Sequence, residues 1–132
     1  MAEAQVFVID ASVAVKWYVN EELRDKALRI REDFLSEVID LEAPSLILYE
    51  VGNAIRHHPG ATEQECAIAV KELRNLGIAI RDLDDATLEV TAKLAFEEAL
   101  TFYDAAYLSL AKTMGATFVT ADKELYNQLS KG

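Results

Sequence analysis

Short runs of β-branched and apolar residues alternate along this chain with longer stretches of helical spacing, and that alternation leaves few folds open. Residues 6–9, 41–43, 78–80 and 117–120 are brief, apolar and bounded by polar or turn residues, which is the pattern of buried strands. Between and after them, 13–18, 22–36, 45–57, 62–75, 86–100, 103–114 and 123–129 carry apolar residues at helical spacing. Thr62 with Glu65 reads as a capping box, Gly77 and Gly115 stand where helix-ending glycines belong, and His57-His58-Pro59-Gly60 reads as a stop. Strands joined through helices in this order imply an α/β fold: a mostly parallel sheet with helices on both faces. With 132 residues and neither an internal repeat nor a linker-like stretch, one domain over 1–132 is expected.

Four carboxylates sit at or just past apolar runs: Asp10 in VFVID, Glu50 in LILYE, Asp104 in FYD and Asp122 in TFVTAD. In open parallel sheets, ligands bind outside the carboxyl ends of the strands, where the strand order reverses. Asp10 directly follows the first strand and Asp122 the last, so both point to one edge. Each acid also has a local explanation. Asp10 helps turn the chain into a helix capped by Ser12, Thr101 and Asp104 are spaced like a capping box, and Asp122 suits the start of the last helix. Glu50 resists that account, because it lies within the otherwise apolar face from Leu46 to Val51. Convergent carboxylates repel one another and lose hydration, and a hard divalent cation relieves both costs.

The chain carries 23 acidic and 13 basic side chains, a formal net charge of −10. Polyanion binding normally draws on a basic face, so unaided binding of a long nucleic acid should be weak. No apolar run approaches the roughly 20 residues of a membrane span, and the first ten residues lack the pattern of a signal peptide, so a cytoplasmic protein without membrane association is expected. The single cysteine, Cys66, excludes an intrachain disulfide and a zinc ribbon, and reads as an inert buried thiol.

VIDASV, the helix-borne Glu50 with Asn53 three residues on, FYDAAYLSLAK and FVTADKEL resemble, in order and spacing, the successive acidic motifs of the PIN domain. The match covers nearly the whole chain and is nearest to the prokaryotic VapC-type toxins of toxin–antitoxin pairs. The resemblance implies a three-layer α/β/α sandwich, a Mg²⁺- or Mn²⁺-dependent endoribonuclease, an RNA substrate, a homodimer and a small antitoxin partner. It assigns the acidic set to Asp10, Glu50, Asp104 and Asp122, and the accompanying hydroxyls to Ser12 and Thr120.

The chemistry points the same way. Phosphodiester hydrolysis needs an in-line nucleophile and neutralisation of charge on the phosphate oxygens, and Mg²⁺ held by one or two carboxylates keeps waters for that purpose. Asp10 and Asp104 are then the expected direct ligands, with Glu50 and Asp122 completing the site. Ser12 and Thr120 orient carboxylates or waters from behind, and Asn53 shares a helical face with Glu50. Lys16, Lys123 and Arg56 are candidate phosphate contacts, each with an ordinary surface reading beside it. His57 and His58 suit a solvated helix end. Trp17, Tyr18, Tyr103 and Tyr107 read first as packing residues. The charged residues from Arg24 to Asp33 form the wet face of a helix, whose apolar side packs on the core or borders an antitoxin groove.

Other classes fit less well. A haloacid-type phosphatase needs two acids spaced D-x-D after the first strand, where this chain has Asp10-Ala11-Ser12. A receiver domain leaves Glu50 unexplained. A catalytically silent PIN-fold interaction module and a housekeeping RNA-processing nuclease are the remaining alternatives.

Overall fold

Strands β1 (Gln5–Ile9), β2 (Ile39–Pro44), β3 (Ala79–Arg81) and β4 (Thr117–Val119) form one sheet in the order β3-β2-β1-β4 in the computed structural model, which describes residues 4–130. Every pairing is parallel. The connections run through helices α1 (Ala11–Ala14), α2 (Arg24–Leu35), α3 (Leu46–Arg56), α4 (Glu63–Asn75), α5 (Asp85–Glu97) and α6 (Phe102–Met114), and α7 (Lys123–Ser130) follows β4. Neighbouring residues on a strand point to opposite faces, and Val8 and Ile9 are both 0% exposed, so helices cover the sheet on both sides. The expected three-layer α/β/α architecture is therefore the one observed.

The larger core cluster centres on Val8, Ile9, Leu41, Ile47, Val51 and Leu73. Each such side chain contributes roughly 1.5–3 kcal/mol on burial. A second cluster joins Leu94, Leu100, Ala105 and Leu125 beneath α5, α6 and α7, and Phe118 of β4 packs against both. Trp17 lies in the first cluster with its indole N–H donated to Ala27 O at 2.7 Å, which makes it a core residue. Ala27, Leu28, Ile30 and Phe34 turn the apolar side of α2 onto the same core, so that side is packing surface. Cys66 is half-buried and donates to Gly52 O across the α3–α4 contact at 3.4 Å.

Several boundaries differ from the sequence expectation for local reasons. The first helix breaks into α1 and a 3-10 turn at Val15–Trp17. α2 begins only at Arg24 because Leu23 adopts a left-handed φ of 68°. α5 starts at Asp85 because Asp84 caps it, accepting from Thr87 N at 2.8 Å, and it ends before Ala99, whose φ is 52°. Gly77 takes φ 108° just past Leu76, the C-cap of α4, a conformation that penalises any side chain. Gly115 (φ 65°) closes α6 before β4. No described helix is long and apolar enough to cross a membrane.

Candidate active site

The strand order reverses between β1 and β4, and Asp10 stands at that junction. Asp10, not Ser12, is the N-cap of α1: its Oδ1 accepts from Ser12 N at 3.1 Å and from the Ser12 hydroxyl at 2.5 Å. Its Oδ2 accepts from the Thr120 hydroxyl at 2.5 Å. Each hydroxyl also accepts from the backbone past β4, Ala121 N donating across to Ser12 Oγ at 2.8 Å and Asp122 N donating locally to Thr120 Oγ1 at 3.1 Å. A closed set of hydrogen bonds thus locks the ends of β1 and β4 together and fixes the Asp10 carboxylate. Ser12 and Thr120 each donate a hydroxyl to one oxygen of the Asp10 carboxylate.

Glu50 comes from the second turn of α3, and its Oε1 accepts from the Tyr107 hydroxyl at 2.5 Å. Tyr107 is 1% exposed, and its ring stacks on Phe118 with centroids 6.3 Å apart, so the donor is held in place. Asp104 lies in the first turn of α6, where Thr101 caps the helix by accepting from Asp104 N at 3.0 Å. The positive end of the α6 dipole favours a carboxylate there. Asp122 is exposed and its Oδ1 accepts from Leu125 N at 3.1 Å at the start of α7.

Charge effects link the acids pairwise, Asp10 and Asp104 acting on Glu50 and Asp122 acting on Asp104. Burial raises the Asp10 carboxyl above its ordinary range, against the lowering effect of the Ser12 and Thr120 hydroxyls. Burial raises Glu50 as well, and the charges of Asp104 and Asp10 push it further, while the Tyr107 bond opposes them. Asp104 is raised by burial and by the charge of Asp122. Burial and the neighbouring Glu50 drive the Tyr107 phenol well above its usual value, so it remains a donor at every working pH. Among the described residues six ion pairs form, and none includes Asp10, Glu50, Asp104 or Asp122.

No three acid, histidine or cysteine side chains among the described residues are grouped closely enough to form a ready metal cage. Unneutralised carboxylates repel one another, and Mg²⁺ typically takes only one or two protein carboxylates with several waters. An all-oxygen donor set without a compensating cation matches a hard divalent ion in chemistry.

The remaining sequence candidates fall differently. Asn53 is exposed one turn beyond Glu50, and its backbone oxygen lies 2.8 Å from His57 Nδ1 at the end of α3. Lys16 is neither a surface lysine nor a free cation: its side chain is 11% exposed and its Nζ pairs with Glu21 at 3.3 Å. Lys123 adjoins Asp122 but pairs with Glu22 at 3.4 Å, both side chains being solvated. Arg56 is exposed at the end of α3, six residues past Glu50 and so about 9 Å further along the helix axis, away from the sheet edge that carries the acids. Tyr103 is 60% exposed rather than packed. The Tyr107–Glu50 bond was not foreseen, although the three-residue step from Asp104 to Tyr107 on one helix was a signal for it.

A model of the PIN domain matches residues 7–129. The chain belongs to the PIN domain family. It is 32% identical over 122 residues to Ribonuclease VapC3 of Pyrobaculum aerophilum, covering 89% of this chain and 90% of that protein. It is 35% identical over 80 residues to Exonuclease VapC9 of the same organism, an alignment that spans 61% of this chain and 60% of VapC9. Among solved structures, PAE2754 from Pyrobaculum aerophilum superposes with a TM-score of 0.62 at 30% identity, covering 95% of this chain and 86% of that one. VapC20 of Mycobacterium tuberculosis, a toxin that cleaves the sarcin-ricin loop, superposes with a TM-score of 0.73 over 92% of this chain and 93% of its own, and at 13% identity it speaks to the fold alone. Within the PIN family this chain stands near the VapC proteins.

Proposed function

We propose that this PIN domain is a Mg²⁺- or Mn²⁺-dependent endoribonuclease, the toxin of a VapBC-type pair, acting in the cytoplasm as a homodimer restrained by a small antitoxin protein. The observation that carries the activity is the uncompensated group of Asp10, Glu50, Asp104 and Asp122 at the β1–β4 switch point, with three of its members held above their ordinary pKa. The similarity to Ribonuclease VapC3 over most of both chains supports RNA as the substrate class.

Asp10 and Asp104 would hold the ion, with Glu50 and Asp122 completing its surroundings. When bound, it would neutralise phosphate charge and make water a competent nucleophile. The protein's own part is orientation. Ser12 and Thr120 keep both oxygens of Asp10 in register, and Tyr107 engages Glu50 Oε1. Glu50 Oε2, on a carboxyl whose proton affinity burial has raised, is suited to take the proton of the attacking water.

The test compares cleavage of a labelled RNA by the wild type and by Asp10→Asn, with Mn²⁺ and with chelator. Cleavage by the wild type that needs the metal and vanishes in a folded Asp10→Asn is the expected result. Equal, negligible activity in both folded proteins with metal present would favour a silent interaction module.

A further inference from the structure

A chain with 23 acids and 13 bases needs somewhere to hold a polyanion. Six of the described cations are matched to carboxylates, and Arg24 is turned to the backbone oxygens of Lys16 and Trp17. Lys26, Arg56, Lys71, Arg74 and Lys112 form no ion pair among the described residues, and two of these five share one helix and one groove, Lys71 and Arg74. They lie three residues apart on α4, one helical turn, and neither pairs with a described carboxylate. Both line the same groove of about 700 Å³ between α3, α4 and the β3 edge, opposite Tyr49, which is 76% exposed.

The groove adjoins a pocket at the end of α6 that carries Asp104. Tyr49 immediately precedes Glu50 on α3. Ser45 lines the groove and also the neighbouring pocket of about 380 Å³ at the start of α6, whose wall includes Tyr103, the residue next to Asp104. Tyr49 and Tyr103 are both exposed aromatic rings, and each directly precedes an acid of the group in the chain, Glu50 and Asp104. Cations that follow a backbone, with aromatic rings on which bases stack, are the two ingredients of single-strand binding. Asp82 lines both pockets and repels phosphates, which confines a backbone to the α4 wall.

We propose that a single-stranded RNA approaches the acids through the α3–α4 groove, with phosphates on Lys71 and Arg74 and a base stacked on Tyr49. The assignment rests on the ribonuclease reading for its choice of polymer. It adds where the strand lies. Single strands lose about 0.7 of a log unit of affinity per log unit of salt for each neutralised phosphate, so two contacts carry a slope of about 1.4.

The experiment measures fluorescence anisotropy of a fluorescein-labelled, mixed-sequence single-stranded RNA on Asp104→Asn protein, which keeps the strand intact. Salt is raised from about 50 to 200 mM, an interval over which two contacts amount to about sevenfold in affinity. Adding Lys71→Gln and Arg74→Gln should flatten the slope by about 1.4, and Tyr49→Ala should weaken binding at least about fivefold at an unchanged slope. If the double variant unfolds, Lys71→Gln alone should remove half of the slope change. Equal slopes and equal affinities in folded proteins would overturn the proposal. So would a double variant that binds RNA normally but changes its sedimentation, because the groove would then be a contact between copies of the chain. Cleavage by the wild type is scored separately: its absence removes the nuclease reading, while groove-dependent binding would still stand.

Discussion

Tyr107→Phe isolates one hydrogen bond while leaving the packing in place. The phenol is buried, its ring stays stacked on Phe118, and the only group removed is the hydroxyl that donates to Glu50 Oε1 at 2.5 Å. Hydrogen bonds to charged partners contribute about 1.5–3 kcal/mol. Glu50 is only half-buried, so water recovers part of this, and a loss of about 1–1.5 kcal/mol at pH 7 is expected. For a domain of this size that lowers Tm by about 3–6 °C. The bond holds the Glu50 pKa down against burial and the charges of Asp104 and Asp10. Without it the folded-state pKa rises further. The deficit of the variant must therefore open as pH increases through the folded pKa of Glu50, and shrink below it, where the carboxyl is neutral in both proteins. Melting curves by circular dichroism at pH 7 and pH 4, without metal, measure both quantities. An unchanged Tm at pH 7 would show that the bond contributes nothing, and a deficit independent of pH would show that its partner is not an ionised carboxylate.

Further outcomes follow from the same geometry. Asp104→Asn should raise the Tm of the metal-free protein, because it removes a carboxylate that burial and Asp122 disfavour, while abolishing metal-dependent RNA cleavage. Thr120→Val removes the hydroxyl that donates to Asp10 Oδ2 and accepts from Asp122 N, and should lower divalent-ion affinity about 10–100-fold by calorimetric titration, with the fold retained. Asp10, Glu50 and Asp104 are all raised above their ordinary values, so they favour the folded state when protonated. The stability they contribute is present below the unfolded carboxylate range and is lost as pH rises through their folded pKa values. Metal-free protein should accordingly lose stability on that rise, and added Mn²⁺ should restore it, as followed by thermal melts across pH. Thr62→Ala deletes the hydroxyl that accepts from Glu65 N at 3.1 Å and should cost about 1 kcal/mol in urea unfolding without affecting cleavage.

Hydrophobic period and capping chemistry are local properties, and the sequence alone determined what depends on them: four strands, the helices between and after them, the parallel sheet, the caps at Thr62 and Thr101, and the end of α6 at Gly115. The acids were legible for the same reason, since each stands at the end of an apolar run or breaks an apolar helical face. Element ends at Leu23 and Ala99 were not legible, because a left-handed φ at a leucine or an alanine is imposed by surrounding contacts rather than favoured by the residue. The partnerships of side chains also waited for the fold. Thr120 reaches Asp10 across 110 positions of sequence and Tyr107 reaches Glu50 across 57, bonds that exist only because β1 pairs with β4 and α6 packs beside α3's sheet edge. Lys16 looked like a free cation until burial and Glu21 claimed it, whereas Lys71 and Arg74, unremarkable in the sequence, gained meaning from the groove they share. Charge and shape at a surface are sums over residues from distant segments, and only the tertiary structure decides which segments meet.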